Sequence, residues 1–456
     1  MLISKINVAL CIGGLTFFLN ACAETDPVLE PTGKAAFVPA DNVPFTQYVS
    51  DSQKNIEQIL NTVRPSSVEK QPYLGNYTLQ EAAAMRSPFQ VPKTDNNRCN
   101  SVAKGAEKGF LLVHGLTDSP YLMSSISASL SQEYPCALIR AVLLPGHGTV
   151  VGDTLKMKHK DWENIVNYGV NSFKSDSSVS NLYLVGFSTG TSLAINYMKQ
   201  HPVATGKVRE DKIKGLILLS VAVKAHNKLA ALSPIVAWFK NWTSPTFTEQ
   251  DAARYESFSY NAGAQFYKLT ADMADSDYAL NIPVLMAVSA DDETINAKAA
   301  REFFCYRNSV KRRALIWYQS IDPRNNIAIN RQDTPELMCS NIIEVKLDTL
   351  DPKYKTVNLA HTALSIHPDD PHYGINGKYR NCKAYIDEPQ QFNDCQGNVK
   401  NNIFGEKNVR KLRSEIKPDY DYLRRGSFNP DYKNLEARIL CFTNEQCSTL
   451  KLLSSH

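Results

Sequence analysis

Short apolar segments recur along the chain, and segments of helical length separate them. The apolar segments are residues 110–113, 137–142, 182–185, 216–221, 284–288 and 314–318. Largely apolar segments of this kind predict strands buried on both faces, as in a parallel sheet that helices cover on each side. Helical spacing or length is found at residues 52–63, 121–130 and 191–199. The pattern predicts an α/β fold built on a mostly parallel central sheet with helices on both faces.

The chain begins with an apolar segment that indicates export. Residues 6–19 carry no charge and are too short to span a bilayer as a mature helix, which is typical of a signal peptide. The segment ends in Leu19-Asn20-Ala21-Cys22, which resembles the bacterial lipobox, where the cysteine is acylated. The resemblance implies a lipid anchor on Cys22 in the bacterial cell envelope, with Ala23 favouring the outer membrane. The alternative is an ordinary cleaved signal followed by an incidental cysteine.

Composition narrows the class of protein. The chain has 456 residues, 43% of them hydrophobic and 21% charged, which predicts a globular protein. A formal net charge of +4 lacks the basic excess of nucleic-acid binders, so we expect no nucleic-acid partner. No cysteine and histidine cluster has zinc spacing, so we expect no metal.

Ten cysteines support the prediction of export. Beyond Cys11 and Cys22 there are eight, which permits four disulfides in an exported chain but leaves 105 possible pairings. Pairing of nearest neighbours is the simplest expectation. It gives Cys99–Cys136, Cys305–Cys339, Cys382–Cys395 and Cys441–Cys447.

The strongest candidate for chemistry is the serine turn Gly186-Phe187-Ser188-Thr189-Gly190. It lies directly after the strand predicted at residues 182–185 and directly before a predicted helix. A G-x-S-x-G turn at such a junction exposes the serine hydroxyl at a helix N-terminus, and its glycines avoid collisions with the neighbouring strand. The pattern alone is weak, since a tight glycine-rich turn would look the same, but the preceding apolar strand strengthens it.

Two further motifs precede this turn. His114-Gly115 follows a predicted strand, and Pro145-Gly146-His147-Gly148 follows the next one. Together with the serine turn they resemble the α/β-hydrolase superfamily over residues 109–364, closest to its carboxylesterases and monoacylglycerol lipases. The resemblance implies Ser188 as nucleophile and backbone N–H groups of Leu116 and Thr189 as the oxyanion hole. It also implies that His114 and His147 hold loops by hydrogen bonding.

A serine nucleophile needs an acid and a histidine later in the chain. The predicted strand at residues 284–288 leads into Asp291-Asp292-Glu293, and the family's spacing to the aliphatic Ile295 selects Asp292. Asp291 and Glu293 stay as alternatives, and so does a solvated acidic turn. The segment Asn358-Leu359-Ala360-His361 resembles the family's histidine turn, which makes His361 the base. His367 and His372 lie in a polar loop for which cation binding is a weaker alternative.

The motifs also divide the chain. We expect a signal peptide at residues 1–21, a lipidated tether with one helix at 22–98, the hydrolase domain at 99–375 and a cysteine-containing extension at 376–456. An insertion at 225–278 falls where the family carries its cap. Its aromatic residues are candidates to roof an acyl pocket, or they form the cap's own small core: Trp238, Phe239, Trp242, Phe247, Tyr255, Phe258, Tyr260, Phe266 and Tyr267.

These features predict a membrane-anchored serine hydrolase that cleaves carboxylic esters without a cofactor. Its substrate would be a small-molecule or lipid ester, attacked through the triad Ser188, His361 and Asp292. Three alternatives stay open: a serine peptidase of the same fold, a lysophospholipase or acyltransferase, and a surface-anchored binding lipoprotein that has lost catalysis.

Overall fold

The structure is a computed structural model, and it describes most of the chain outside the N-terminal and C-terminal segments. The described residues are 26–34, 37–64, 72–91, 99, 106–174, 176–202, 209–226, 231–243, 249–274, 278–308, 310–323, 326–328, 339–397, 402–406, 422–426 and 428–444. The predicted signal peptide and Cys22 lie outside them. Among the described residues, no helix has the length and apolar character needed to cross a bilayer.

A central sheet of nine strands organises these residues. Its strands are β1 (Phe89–Val91), β2 (Lys108–Val113), β3 (Leu138–Val142), β4 (Asn181–Phe187), β5 (Ile213–Leu219), β6 (Val284–Ser289), β7 (Arg313–Asp322), β8 (Ile327–Ala328) and β9 (Ile342–Asp348). The order is β1-β3-β2-β4-β5-β6-β7-β8, and β9 also pairs with β7. β1 and β8 are antiparallel to their neighbours, and the other pairs are parallel. The predicted α/β fold is therefore confirmed.

Helices cover both faces of the sheet. They are α1 (Phe45–Val63), α2 (Leu79–Arg86), α3 (Ser124–Glu133), α4 (His159–Lys174), α5 (Thr189–Gln200), α6 (Ser233–Val236), α7 (Tyr260–Ala274), α8 (Ala297–Tyr306), α9 (Pro389–Gly397) and α10 (Tyr432–Thr443). Alternate residues of β2 enter different cores, because successive strand side chains point to opposite faces. Leu111 joins the core that includes residues of α4, α5, α7 and α8, and Leu112 joins the core that includes residues of α3 and α10.

The folded unit extends beyond the predicted domain boundaries of 99 and 375. On the N-terminal side, β1 pairs with β3, and Phe45 and Tyr48 of α1 are buried in one of the two main cores. On the C-terminal side, α10 buries Leu435 and Phe442 in the other main core. The composition of the tether and of the extension sets them apart from the predicted domain. Their apolar residues nevertheless pack into the cores of that domain.

A small second sheet lies in the C-terminal extension. Its strands β10 (Asn402–Gly405) and β11 (Tyr422–Arg425) are parallel. The loop after β9 reaches this sheet, since Thr356 forms an isolated bridge with Phe404 and the Val357 N–H donates to the Phe404 carbonyl. This contact brings the extension beside the segment that carries His361.

Three of the four expected disulfides are present among the described residues. They join Cys99 to Cys136, Cys305 to Cys339, and Cys382 to Cys395. The expected pairing of Cys441 with Cys447 lies outside the described residues, because Cys447 is not among them.

Candidate active site

The serine turn joins β4 to α5 and holds Ser188 in a strained conformation. Ser188 has φ 51° and ψ −119°, a region that residues with side chains rarely adopt. The turn is close-packed: a Cβ on Gly190 would lie 2.1 Å from the Val113 carbonyl oxygen at the end of β2. The Ser188 N–H donates to the Leu219 carbonyl at 2.9 Å, which fixes the turn against the end of β5. Ser188 thus lies between the end of β4 and the N-terminus of α5, the strand-to-helix junction expected from the sequence.

His361 and Asp292 lie beside Ser188 although they are far away in the sequence. His361 Nε2 is 2.8 Å from Ser188 Oγ, and its Nδ1 is 2.5 Å from Asp292 Oδ2. With a proton on Nδ1, the imidazole donates to Asp292 and accepts the Ser188 hydroxyl proton at Nε2. All three side chains are buried, and Ser188 retains 6% exposure. The structure thus brings together the three residues that the motifs selected.

The choice among the three acidic residues rests on where each carboxylate points. Asp292 Oδ1 accepts the N–H groups of Thr294 and Ile295, which leaves Oδ2 for His361. Asp291 faces the neighbouring strand instead, where its Oδ2 accepts the Ser320 N–H at 3.1 Å. Glu293 is only partly buried. Asp292 is therefore the carboxylate in hydrogen-bonding contact with His361.

The loop after β2 runs directly against the serine turn. A Cβ on Gly115 would lie 2.9 Å from Ser188 Cβ, so only glycine allows this approach. No acceptor for the Leu116 N–H is found in the described part of the chain, and the Thr189 N–H is at the first position of α5, where helices leave N–H groups free. The two predicted oxyanion donors thus lie on the two segments that meet at Ser188.

Two histidines and a residue of the insertion hold this loop. His114 Nε2 accepts the Leu144 N–H, and His147 Nε2 accepts the Thr117 N–H, both at 3.0 Å. The Tyr255 N–H donates to the Thr117 carbonyl at 2.8 Å. The histidines thus hold loops as the resemblance implies, and the insertion takes part as well.

Glu406, which the sequence did not single out, holds the histidine segment from the C-terminal extension. Its Oε1 accepts the backbone N–H of His361 at 2.8 Å, and its Oε2 lies 3.1 Å from Arg425 Nε. On the other side, the Ser220 hydroxyl donates to the His361 carbonyl at 2.9 Å. No sequence spacing relates Glu406 to His361, and the only local signal is an acidic residue at the end of a short apolar segment.

The charges around His361 favour its protonated form. Burial opposes a charge on the ring, but the attraction of Asp292, with smaller contributions from Glu406 and Asp118, raises the pKa of His361 above the ordinary imidazole value. Asp118 is a second residue that the motifs missed. Burial raises the pKa of its carboxyl group to about 6, although Arg254 and His361 oppose the shift. A carboxylate thus lies close to the serine and the base.

The aromatic residues of the insertion differ in how far they are buried. Trp238 and Phe239 are each 86% exposed. The prediction that they roof an acyl pocket or form the cap's own core is therefore wrong for these two residues. Tyr255 is buried and its ring lies parallel to that of His147, with 6.1 Å between centroids. Phe247 lies outside the described residues.

The polar loop with His367 and His372 forms hydrogen bonds with the insertion. His372 Nε2 is 2.8 Å from Asp251 Oδ1, and its Nδ1 is 2.9 Å from the Tyr77 hydroxyl. Among the described residues, no group of three or more histidine, cysteine or acidic side chains could hold a metal ion. In this structure, His372 thus connects the N-terminal segment to the insertion.

Comparisons with known proteins yield only distant structural likenesses. No family model and no curated relative matches the chain. Among solved structures, a metagenome-derived lipolytic enzyme of the LipS and LipT study has 16% identity and a TM-score of 0.38 over 50% of this chain and 86% of its own. A monoglyceride lipase from Saccharomyces cerevisiae has 16% identity and a TM-score of 0.38 over 51% and 82%. A monoacylglycerol lipase from Paleococcus ferrophilus has 17% identity and a TM-score of 0.37, over 50% of this chain and 87% of its own.

Since each of these likenesses has a low TM-score, the fold assignment rests on this chain itself. Its parallel sheet, the serine turn between β4 and α5, and the order of serine, acid and histidine along the chain are the relevant features. Together they give this chain the α/β-hydrolase fold.

Proposed function

We propose that this protein is a serine hydrolase that cleaves carboxylic esters. The observation that carries the proposal is the continuous hydrogen-bonded series from Ser188 Oγ through His361 to Asp292 Oδ2. A serine hydroxyl is a weak nucleophile at neutral pH, and an adjacent base whose tautomer is held by a carboxylate activates it. The strained backbone at Ser188 fits the same role, since functional residues often occupy such conformations.

The reaction proceeds in two steps through an acyl-enzyme. Ser188 Oγ attacks the ester carbonyl carbon while His361 Nε2 takes the hydroxyl proton, and the same proton then passes to the departing alcohol. In the second step His361 takes a proton from water, whose oxygen attacks the acyl carbon. The bond to Ser188 Oγ then breaks, His361 returns the proton to Oγ, and the acid leaves. Asp292 holds the imidazole and stabilises its positive form in both steps.

The oxyanion that forms in each step needs donors at a fixed place. The N–H groups of Leu116 and Thr189 are the proposed donors, and the close approach of the Gly115 loop to the serine turn supports this role. Removing one such donor costs about 3 kcal/mol of transition-state stabilisation in related chemistry. No step in this scheme uses a cofactor.

Turnover of an ester panel tests the proposal. Purified chain is assayed with 4-nitrophenyl esters of increasing acyl length, with an aminopeptidase substrate and with a lysophospholipid. We expect ester hydrolysis that Ser188→Ala abolishes. Ser52→Ala is the matched control, because Ser52 is also buried but lies on α1, away from the site. Equal turnover by the Ser188→Ala variant would contradict the proposal, and cleavage of the peptide substrate alone would favour a peptidase.

We also propose, from the sequence, that Cys22 carries a lipid anchor and places the protein in the bacterial cell envelope. The support is the Leu19-Asn20-Ala21-Cys22 segment after an apolar signal. Incorporation of labelled palmitate that Cys22→Ser removes would support the anchor. A soluble periplasmic protein without label would contradict it.

A further inference from the structure

A narrow cleft with three arginines lies beside the candidate active site. The residues that line it include Leu122, Arg254, Thr362, Tyr373, Arg424 and Arg425. Thr362 directly follows His361, so one wall of the cleft is continuous with the catalytic base. The arginines come from two distant parts of the chain, the insertion and β11. Such a concentration of guanidinium groups beside the segment that carries His361 favours a bound group with negative charge.

Arg254 has hydrogen-bonding capacity that the fold does not use. Its Nε is buried and has no hydrogen-bond acceptor in the described part of the chain, although it forms an ion pair with Asp251 Oδ2 at 3.5 Å. The side chain retains 17% exposure and lines the cleft. A buried donor without an acceptor is costly, and a guanidinium presents a fork of donors that matches a carboxylate or a phosphate.

Asp118 shows that Arg254 and the catalytic centre are close to each other. The charges of Arg254 and His361 both act on the Asp118 carboxyl group. The position of a Cβ on Gly115 would be 2.5 Å from Asp118 Oδ2 and 2.9 Å from Ser188 Cβ, so this carboxyl group also lies near the nucleophile. Arg254 is therefore within electrostatic range of a carboxyl group that lies beside the nucleophile.

Acidic residues balance part of the positive charge of the cleft. Asp118 and Asp251 act on Arg254, and Glu406 binds Arg425. Burial, with the nearby positive charge of Arg380, lowers the pKa of Arg424 to about 10. Negative charge bound in the cleft would offset the repulsion between Arg424 and Arg380.

The backbone that carries Arg254 is held on several sides. The Arg86 guanidinium donates to the carbonyls of Thr149, Asp251 and Ala252, at 2.7 to 2.9 Å. The Asp251 carboxylate accepts the Tyr373 hydroxyl at 2.9 Å in addition to its contact with His372. Tyr255, which follows Arg254, is fixed to the loop after β2 because its N–H donates to the Thr117 carbonyl. Such preorganisation lowers the entropic cost of binding.

From these contacts we propose that the cleft binds an anionic group, a carboxylate or a phosphate, on the ester that Ser188 attacks, with Arg254 as its main ligand. The inference rests on the proposed ester hydrolysis and deepens it by naming the substrate class. The anionic group is on either the acyl side or the alcohol side of the ester. A separate pair of substrates tests each side.

Matched ester pairs test this inference on the full chain. For the acyl side, mono-4-nitrophenyl esters of succinate, glutarate and adipate are compared with their methyl esters at the free carboxylate. For the alcohol side, 3-carboxy-4-nitrophenyl butyrate is compared with 4-nitrophenyl butyrate. Competition by glutarate and by inorganic phosphate against the neutral ester then distinguishes a carboxylate from a phosphate.

We expect kcat/KM for at least one anionic ester to exceed that of its neutral partner by roughly 10-fold to 100-fold, mainly through KM. Arg254→Gln should bring this ratio close to one, and Arg254→Lys should restore part of it. Arg209→Gln is the matched control, because Arg209 pairs with Asp211 just before β5, at the opposite end of the strands from Ser188. It should leave the ratio unchanged. If Arg254→Gln does not fold, Arg424→Gln takes its place.

Two results would overturn the inference. One is a wild-type ratio of about one or less in every pair. The other is a preference that survives both Arg254→Gln and Arg424→Gln. Failure of the proposed function is seen separately, as absence of Ser188 labelling by a fluorophosphonate. If Ser188 is labelled but no ester is cleaved, protection from labelling by glutarate or phosphate, lost in Arg254→Gln, supports the cleft, and no protection refutes it.

Discussion

Asp291 and Asp292 offer an internally controlled test of the proposed triad. They are adjacent, both are fully buried, and each can be replaced by the isosteric amide. Only Asp292 contacts His361, with 2.5 Å between its Oδ2 and the ring Nδ1. We therefore expect Asp292→Asn to remove most activity and Asp291→Asn to retain most of it.

The size of the loss follows from the charge that Asp292 supplies. With about 4 Å between the charge centres and an effective dielectric constant of about 20, the attraction between the carboxylate and an imidazolium is about 4 kcal/mol. Since each 1.36 kcal/mol corresponds to a tenfold change in rate, kcat should fall roughly 10³-fold. The amide also disfavours the tautomer with a proton on Nδ1, which adds to the loss.

Replacement of Asp291 should change the stability of the fold and its dependence on pH, rather than kcat. Burial raises the pKa of its carboxyl group from 3.8 to about 6, against the smaller effect of hydrogen bonds that include those from Ser320 and Leu359. The folded state therefore loses stability as the pH rises from about 4 to about 6, by ~3 kcal/mol in all. Asp291→Asn removes this penalty and can still accept both N–H groups. It should be at least as stable as wild type at pH 8.

The assay is 4-nitrophenyl ester turnover with thermal unfolding at pH 5 and pH 8 for both variants and wild type. Asp292→Asn should be folded and nearly inactive, whereas Asp291→Asn should keep kcat within about tenfold. Equal losses of kcat in the two variants would refute the assignment of the acid. So would a folded Asp292→Asn variant with nearly full activity.

Two further variants probe the surroundings of the base and the nucleophile. Glu406→Gln keeps an acceptor for the His361 N–H but removes a charge that raises the pKa of His361. Because the base must be neutral, kcat/KM falls as the pH falls through that pKa, and this limb should move to lower pH; an unmoved limb would contradict the electrostatic role. Gly115→Ala would place a Cβ 2.5 Å from Asp118 Oδ2 and 2.9 Å from Ser188 Cβ. We expect at least tenfold lower kcat and ~1–3 kcal/mol lower stability, and activity equal to wild type would show that the loop has room.

The sequence pattern predicted the centre of the sheet because parallel strands there are apolar on both faces. The edge strands escaped prediction for the same reason. β1 has three residues, and most residues of β9 are partly or fully exposed, so neither forms a continuous apolar segment. Their positions depend on pairing with β3 and β7, which local composition does not encode.

The proposed triad could be predicted because each member follows a recognisable strand or lies in a recognisable turn. Glu406 could not, because its contact with His361 forms only when the chain returns 45 residues later through β10. Arg254 likewise reaches the site only through the tertiary contacts of its neighbours Asp251 and Tyr255. The motifs therefore predict the reacting groups, whereas the residues that tune and orient them require the fold.

Mapping of a fluorophosphonate adduct tests the central claim most directly. The purified chain is treated with the reagent, and the modified peptide is identified by mass spectrometry. The proposed mechanism predicts one adduct per chain on Ser188, and strongly reduced labelling in Asp292→Asn, because the base must activate the hydroxyl. Folded protein that takes up no reagent, or that takes it up at another serine with Ser188 unmodified, would contradict the account.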